Sequence, residues 1–480
     1  MTDADDQPSR LARSLLLEPT LSFTLPSLHD GLAIDCRVYH PQSLDPSPSS
    51  PPWRKHAAIF AHPYAPLGGC YDDPVVEIAA GTLLRLGFLV GTFNFRGAQG
   101  SAGRTSWTAK AERADYMSFV GFLSHYVHFL DPFRPHLPES VPTLTPLAEA
   151  SDYMAVHTSG GANQDPRPVT PSTPSYETNQ SPLFLMGGYS YGSMITMQLP
   201  SLETILQQFD TPACTSHAAE IRLRAQHLAE VQNTALGSAR VAALEHQANV
   251  SSHSPSGMRF GGEESNRKHH HSRLSFSHDT EEKIHKGVAE LMAKAKSHKR
   301  RLSGKDHSCV GEDGALETGT EAKPQAAKDC LPAVPDRVVA RPAYLLVSPL
   351  QGIITNLATF SLLPRRPSWR GLTRSVSSPA ATNSPTGQHG PVSEIPVSME
   401  EAEAKLVRNP TLAIYGDNDG FVPVRKLRPW ATRLEGIPRS LFRAHEVSGA
   451  SHFWAQGRAA YTLKDAIKTF AESLLAENGT

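Results

Sequence analysis

The pentapeptide Gly188-Tyr189-Ser190-Tyr191-Gly192 has the pattern G-x-S-x-G. It directly follows the apolar run Leu183 to Met186 and directly precedes a helical stretch, so the serine falls on a strand-to-helix turn. Glycines at both ends let such a turn be sharp, because neighbouring backbone can approach where no side chain stands, and the sharp turn pushes the hydroxyl out above the sheet edge. A serine hydroxyl is a poor nucleophile at neutral pH. It needs a general base, and the base needs a carboxylate to orient it. Two later segments offer both. His452, in Gly449-Ala450-Ser451-His452-Phe453, lies between a strand, Leu441 to Val447, and the last helix. Asp417 and Asp419, in Gly416-Asp417-Asn418-Asp419-Gly420, follow the strand TLAIYG. Each also has a plainer reading: a histidine starting a surface helix, and aspartates serving as turn residues that cap the helix opening at Pro423.

The elements that must hold these residues follow from periodicity. Strands LSFTLPS and LAIDCRVYHP are joined by a turn at Asp30-Gly31, and AAIFAHPY is a buried strand. Then come helical spacing over Val75 to Leu86, a strand from Phe88 to Phe95, and an amphipathic helix from about Ala109 to Phe129. AYLLVSPL is another buried strand, and a long amphipathic helix spans about Phe453 to Leu475. This alternation predicts an α/β fold: a mainly parallel sheet with helices on both faces, entered through an antiparallel pair. Ligands of such sheets bind at the carboxyl ends of the strands, where Ser190, His452 and both aspartates all fall.

These blocks read as a single domain over 15–480, built from about 15–130, 181–200, 341–362 and 405–478. Three stretches interrupt it: a Pro/Ser/Thr-rich 131–180, a long polar 201–340 and a Ser/Pro/Arg-rich 364–400. The second has helical spells at roughly His217 to Leu236 and Glu281 to Lys296. The remainder is too polar to offset its ordering entropy, and long disordered insertions are expected.

Composition limits the function. With Lys+Arg 46 against Asp+Glu 47, the chain has no overall positive field for nucleic acid. Cys36, Cys70, Cys214, Cys309 and Cys330 are scattered and form no CxxC pair, which disfavours a disulfide scaffold or zinc ribbon. His269, His270 and His271 lack ligand partners at regular spacing and read as a solvated tract, and Cys70 as a small loop residue. No run of 18 apolar residues suggests a transmembrane helix, and MTDADDQPSR does not read as a signal peptide, so a cytoplasmic protein is expected. Lys299-Arg300-Arg301-Leu302-Ser303 looks like a kinase target at Ser303, and Arg374-Ser375-Val376-Ser377-Ser378 is a poorer version.

The order Ser190, Asp419, His452, each after its strand, resembles the α/β-hydrolase superfamily. The resemblance covers about half the chain. It implies that the acid is Asp419, the third residue after the glycine ending its strand, although Asp417 stays open. His62-Pro63-Tyr64-Ala65-Pro66-Leu67-Gly68-Gly69 resembles the small-hydrolase branch with His-Pro followed by Gly-Gly. There the superfamily places one oxyanion-hole amide. Pro63 has no N–H, so the resemblance points to the amides of Tyr64 and Tyr191. Asn94-Phe95-Arg96-Gly97-Ala98-Gln99-Gly100-Ser101 resembles the Asp-x-Arg-Gly-x-Gly-x-Ser loop, with asparagine for aspartate and one extra residue.

The expected activity is therefore a serine hydrolase using Ser190, His452 and Asp419 on a small-molecule acyl substrate (an ester, thioester or small amide), with no metal or organic cofactor required. A catalytically silent scaffold with phosphorylatable insertions is the alternative. A serine peptidase ranks third, since no substrate-selecting domain is visible.

Overall fold

The computed structural model describes residues 8–16, 18–106, 108–133, 181–251, 282–293, 329–350 and 399–477. Eight strands form one sheet: β1 (Leu21–Pro26), β2 (Ala33–Tyr39), β3 (Ala57–Ala61), β4 (Leu89–Phe93), β5 (Leu183–Tyr189), β6 (Arg341–Val347), β7 (Thr411–Gly416) and β8 (Phe442–Val447). Their spatial order is β1-β2-β4-β3-β5-β6-β7-β8. Strand β2 runs antiparallel to both β1 and β4, and every later pairing is parallel. This is the mainly parallel α/β sheet, entered through an antiparallel pair, anticipated from the alternating pattern.

The central strands β3 and β5 are buried along their whole length, which is why they read as continuous apolar runs. Strand β8 (FRAHEV) is the sheet edge and is buried only at its ends, Phe442 and Val447, with Arg443 exposed between them, and charge on an edge discourages pairing with another chain. Helices cover both faces. On one lies α3 (Lys110–Phe129), with Tyr116, Phe119 and Phe122 buried. On the other lie α2 (Pro74–Arg85) and the last helix (Ala459–Glu477), which contribute Val75, Ala79, Leu83, Leu463, Ile467 and Leu474 to a second core.

Three boundaries differ from the sequence reading. An N-terminal helix, α1 (Pro8–Leu15), packs Leu11, Ala12 and Leu15 against Ile78 and Ala460, so the folded body begins before residue 15. Its roughly two turns of amphipathic pattern are too brief to register as periodicity. Next, part of 201–340 is integral to the fold. The helix read as His217 to Leu236 extends over His217–Ser251 and buries Ala219, Ile221, Ala225 and Leu228. Arg224 reaches from it to the Thr24 carbonyl at 2.9 Å. A helix over 282–293 adds Ile284 and Val288 to the same core. Beyond Asn233 the long helix is mostly exposed, continued by good helix formers such as those of AALEHQ without a buried face to signal it.

Last, the C-terminal helix starts at Ala459 rather than Phe453, because Trp454 and Gly457 have positive φ (56° and 47°) and interrupt the helical path. Trp454 is fully buried instead, and its indole N–H donates to the Ser348 hydroxyl at 3.2 Å. The expectations for His269, His270, His271, Ser303, Cys309 and Arg374 to Ser378 lie outside the described residues.

Candidate active site

Ser190 stands between β5 and α4 (Tyr191–Gln198) with φ 56° and ψ −110°, a conformation that is an outlier for a residue with a side chain. The strain persists because the surroundings fix it. Ser190 N–H donates to the Val347 carbonyl at 2.8 Å, and the Ser193 hydroxyl is 2.5 Å from the Gly188 carbonyl and 2.9 Å from that of Val347. The two glycines are required for close approach. A Cβ on Gly188 would meet the Gly192 backbone at 2.4 Å, and one on Gly192 would meet the Ala61 carbonyl at 2.5 Å. Alanine at either position therefore forces backbone to move.

His452 arrives on the loop after β8. Its Nε2 lies 2.8 Å from Ser190 Oγ and its Nδ1 lies 2.7 Å from Asp419 Oδ2. A carboxylate only accepts, so Nδ1 carries the proton and Nε2 presents its lone pair to the serine O–H. The ring is held from behind by Tyr189, 5.5 Å away between centroids, whose hydroxyl donates to the His452 carbonyl at 2.8 Å. All three polar residues are buried.

The two aspartates are separated by what they touch. Asp419 Oδ2 meets the imidazole while Oδ1 accepts the Phe421 and Val422 amides at 2.8 and 2.9 Å. Asp417 accepts the Gly449 amide at 2.6 Å and the Ser448 hydroxyl at 3.2 Å, stapling the histidine loop without reaching the ring. Gly416 lets the two loops come together, since a Cβ there would lie 2.0 Å from the Ala450 carbonyl.

The loop after β3 lies beside this constellation. The Tyr64 ring packs on that of Tyr191 at 5.1 Å, and among the described residues the backbone amides of Tyr64 and Tyr191 have no acceptor. His62 anchors the loop. Its Nδ1–H donates to the Pro63 carbonyl at 2.6 Å and its Nε2 accepts the Phe95 amide at 2.8 Å. Burial lowers its pKa to about 4, partly opposed by the Pro63 bond, so the ring is neutral at physiological pH as both bonds require.

The neighbouring loop is held by Arg96. It donates to both Asp115 oxygens, at 2.7 and 2.9 Å, to Asp30 at 2.9 Å and to the Ser27 hydroxyl at 3.0 Å. Burial opposes the Arg96 cation, but these carboxylates outweigh it and raise its pKa. The unusual Asn94 accepts the Tyr71 amide at 2.9 Å, and the extra residue Gln99 reaches Cys70 Sγ at 3.0 Å. Cys70 is buried, and burial raises its thiol pKa, which disfavours thiolate chemistry.

Sequence reasoning missed Asp73. It caps α2 by accepting the Val75 amide at 2.9 Å. Burial pushes its pKa up to about 6 against the pull of the capping amides and of the His452 ring. Asp72-Asp73-Pro74 signals a helix start, but nothing in its spacing signals proximity to His452. The described residues hold no group of three or more metal-ligating side chains, and none of their helices is long and apolar enough to cross a membrane.

No protein-family model and no curated protein matches the chain. Several solved structures resemble it. An α/β serine hydrolase homologue from Coxiella burnetii is 11% identical, with 95% of this chain and 98% of that chain covered and a TM-score of 0.37. An α/β serine hydrolase without a lid from Xanthomonas campestris is 13% identical, with 96% of each chain covered and a TM-score of 0.36. Est1E from Butyrivibrio proteoclasticus is 9% identical, with 95% and 99% covered and a TM-score of 0.36.

Proposed function

We propose that the protein is a serine hydrolase that cleaves an ester, thioester or small amide through an acyl-enzyme. The observation that carries this reading is the unbroken chain of bonds from Ser190 Oγ through the His452 ring to Asp419, at 2.8 and 2.7 Å, with the serine in a strained turn. Ser190 Oγ attacks the substrate carbonyl carbon while its proton passes to His452 Nε2. Asp419 holds the Nδ1–H tautomer and stabilises the imidazolium as it forms. The carbonyl oxygen, now anionic, accepts from the Tyr64 and Tyr191 amides, which have no acceptor among the described residues; Tyr191 also opens α4, where the helix dipole favours negative charge.

The Nε2 proton then moves to the leaving oxygen, nitrogen or sulfur as its bond to carbon breaks. Water, deprotonated by the same Nε2, attacks the acyl-enzyme, and the carbonyl carbon to Oγ bond breaks as Nε2 returns that proton to Oγ, which frees the acid and restores the serine.

Rapid mixing with p-nitrophenyl acetate tests the reading. A burst of p-nitrophenolate equal to the enzyme concentration, followed by slower turnover, is expected, with no burst from Ser190→Ala. Equal p-nitrophenolate traces from wild type and Ser190→Ala would defeat it.

A further inference from the structure

Among the described residues only two phenylalanine or tryptophan side chains are exposed, Phe421 at 40% and Phe453 at 61%. Both stand against the same imidazole. The Phe421 ring lies 4.7 Å from that of His452 at 38°, and the Phe453 ring 5.7 Å away at 88°. The two phenyl rings meet at 5.7 Å and 90°, forming an open right-angled corner. Large apolar surface left in water is costly to maintain and marks a place where something apolar is received.

The position of the corner identifies which part of a substrate it receives. Resting on the proposed mechanism, the leaving oxygen must come within about 3 Å of His452 Nε2 to take its proton. The group attached to that oxygen therefore extends along the imidazole edge, away from the Tyr64 and Tyr191 amides that hold the carbonyl oxygen. Phe421 and Phe453 are the exposed aromatic rings standing against that imidazole, so the leaving group is the part of the substrate we place against them. A flat ring fits a right-angled pair of phenyls better than a flexible chain does. It stacks offset on one face and meets the other edge-to-face, the two arrangements aromatic pairs prefer, and it loses little rotamer entropy on binding.

We infer that Phe421 and Phe453 form a leaving-group subsite that selects esters of aromatic alcohols. The test compares acetate esters, so that all substrates pass through one acetyl-enzyme and kcat/KM reports the step in which the alcohol is still attached. Methyl, hexyl and benzyl acetate are hydrolysed from alcohols of similar acidity, which removes intrinsic leaving-group differences. Benzyl acetate is expected to exceed methyl acetate in kcat/KM by at least about tenfold and to exceed hexyl acetate as well. In Phe453→Ala the benzyl-to-methyl ratio should fall about tenfold, and Phe453→Trp should keep it. Phe421→Leu, which retains volume but not the ring, should lower it by a smaller factor.

A ratio unchanged in Phe453→Ala, or hexyl acetate hydrolysed faster than benzyl acetate by wild type, would overturn the subsite. Mass detection of acetyl on Ser190 after p-nitrophenyl acetate separates the two levels. Acetylated Ser190 with an unchanged ratio removes the subsite alone, and no acetylation removes the hydrolase reading itself.

Discussion

The two halves of the candidate site are built in opposite ways. On the β5, β7 and β8 side, Ser190, Asp419 and His452 act through side chains that bond one another directly. On the β3 and β4 side, the group proposed to meet the substrate is the backbone amide of Tyr64, and the side chains hold its loop and the next one: His62 between Pro63 and Phe95, and Arg96 among Asp115, Asp30 and Ser27. Changes in the first half should remove reacting groups at little cost to the fold. Changes in the second should cost stability first and rate only through displacement.

The largest separation is expected at the nucleophile and base. Ser190→Ala and His452→Ala should each lower kcat by about 10^5- to 10^6-fold with the urea midpoint nearly unchanged. The aspartate pair gives the next contrast. Asp419→Asn leaves the shape intact but favours the wrong imidazole tautomer, so a fall of about 10^4-fold in kcat is expected, while Asp417→Asn should cost less than about tenfold. Comparable losses from the two would show that the histidine loop, rather than the tautomer, is what matters.

Gly192→Ala sharpens the boundary between the halves, because its Cβ would meet the backbone of Ala61 and His62 at 2.5 and 2.7 Å. Both stability and rate should fall, by about 1–3 kcal/mol in urea unfolding for the former.

The support half has its own pH signature. His62 has a folded pKa of about 4, below its ordinary 6.5, so on acidification the unfolded chain takes up the proton first. The stabilisation from keeping this ring neutral is fully present above about pH 6.5 and is lost as pH falls toward 4, on the order of 3 kcal/mol for this residue. His40, His56 and His125, also lowered by burial, act in the same direction. His62→Gln should therefore flatten the fall in unfolding free energy between pH 7 and pH 4.5 relative to wild type. An unchanged slope would show that His62 is not held neutral.

The same contrast explains what could be read from the sequence. Ser190, Asp419 and His452 are legible because each follows a strand, an apolar run for the first two, and sits among small residues that a sharp turn or close loop approach demands, as Gly188, Gly192 and Gly416 do. The sheet was legible for the same reason, its inner strands being continuous apolar runs. The supporting contacts were not. Arg96 finds Asp30 and Asp115 across separations of 66 and 19 residues, and no local pattern encodes which carboxylates will close on it. Asp73 is visible as a helix cap but not as a neighbour of His452, because that proximity depends on how α2 packs against the sheet. The long helix His217–Ser251 was underestimated because half of it is paid for by propensity rather than burial.

The central claim is that Ser190 alone among the serines is activated, and covalent labelling tests it most directly. A fluorophosphonate incubated with the full chain, followed by peptide mass mapping, should place one phosphonyl group on the peptide containing Ser190, with labelling abolished in Ser190→Ala and strongly slowed in His452→Ala. An unlabelled wild-type protein, or an adduct that persists in Ser190→Ala, would contradict it.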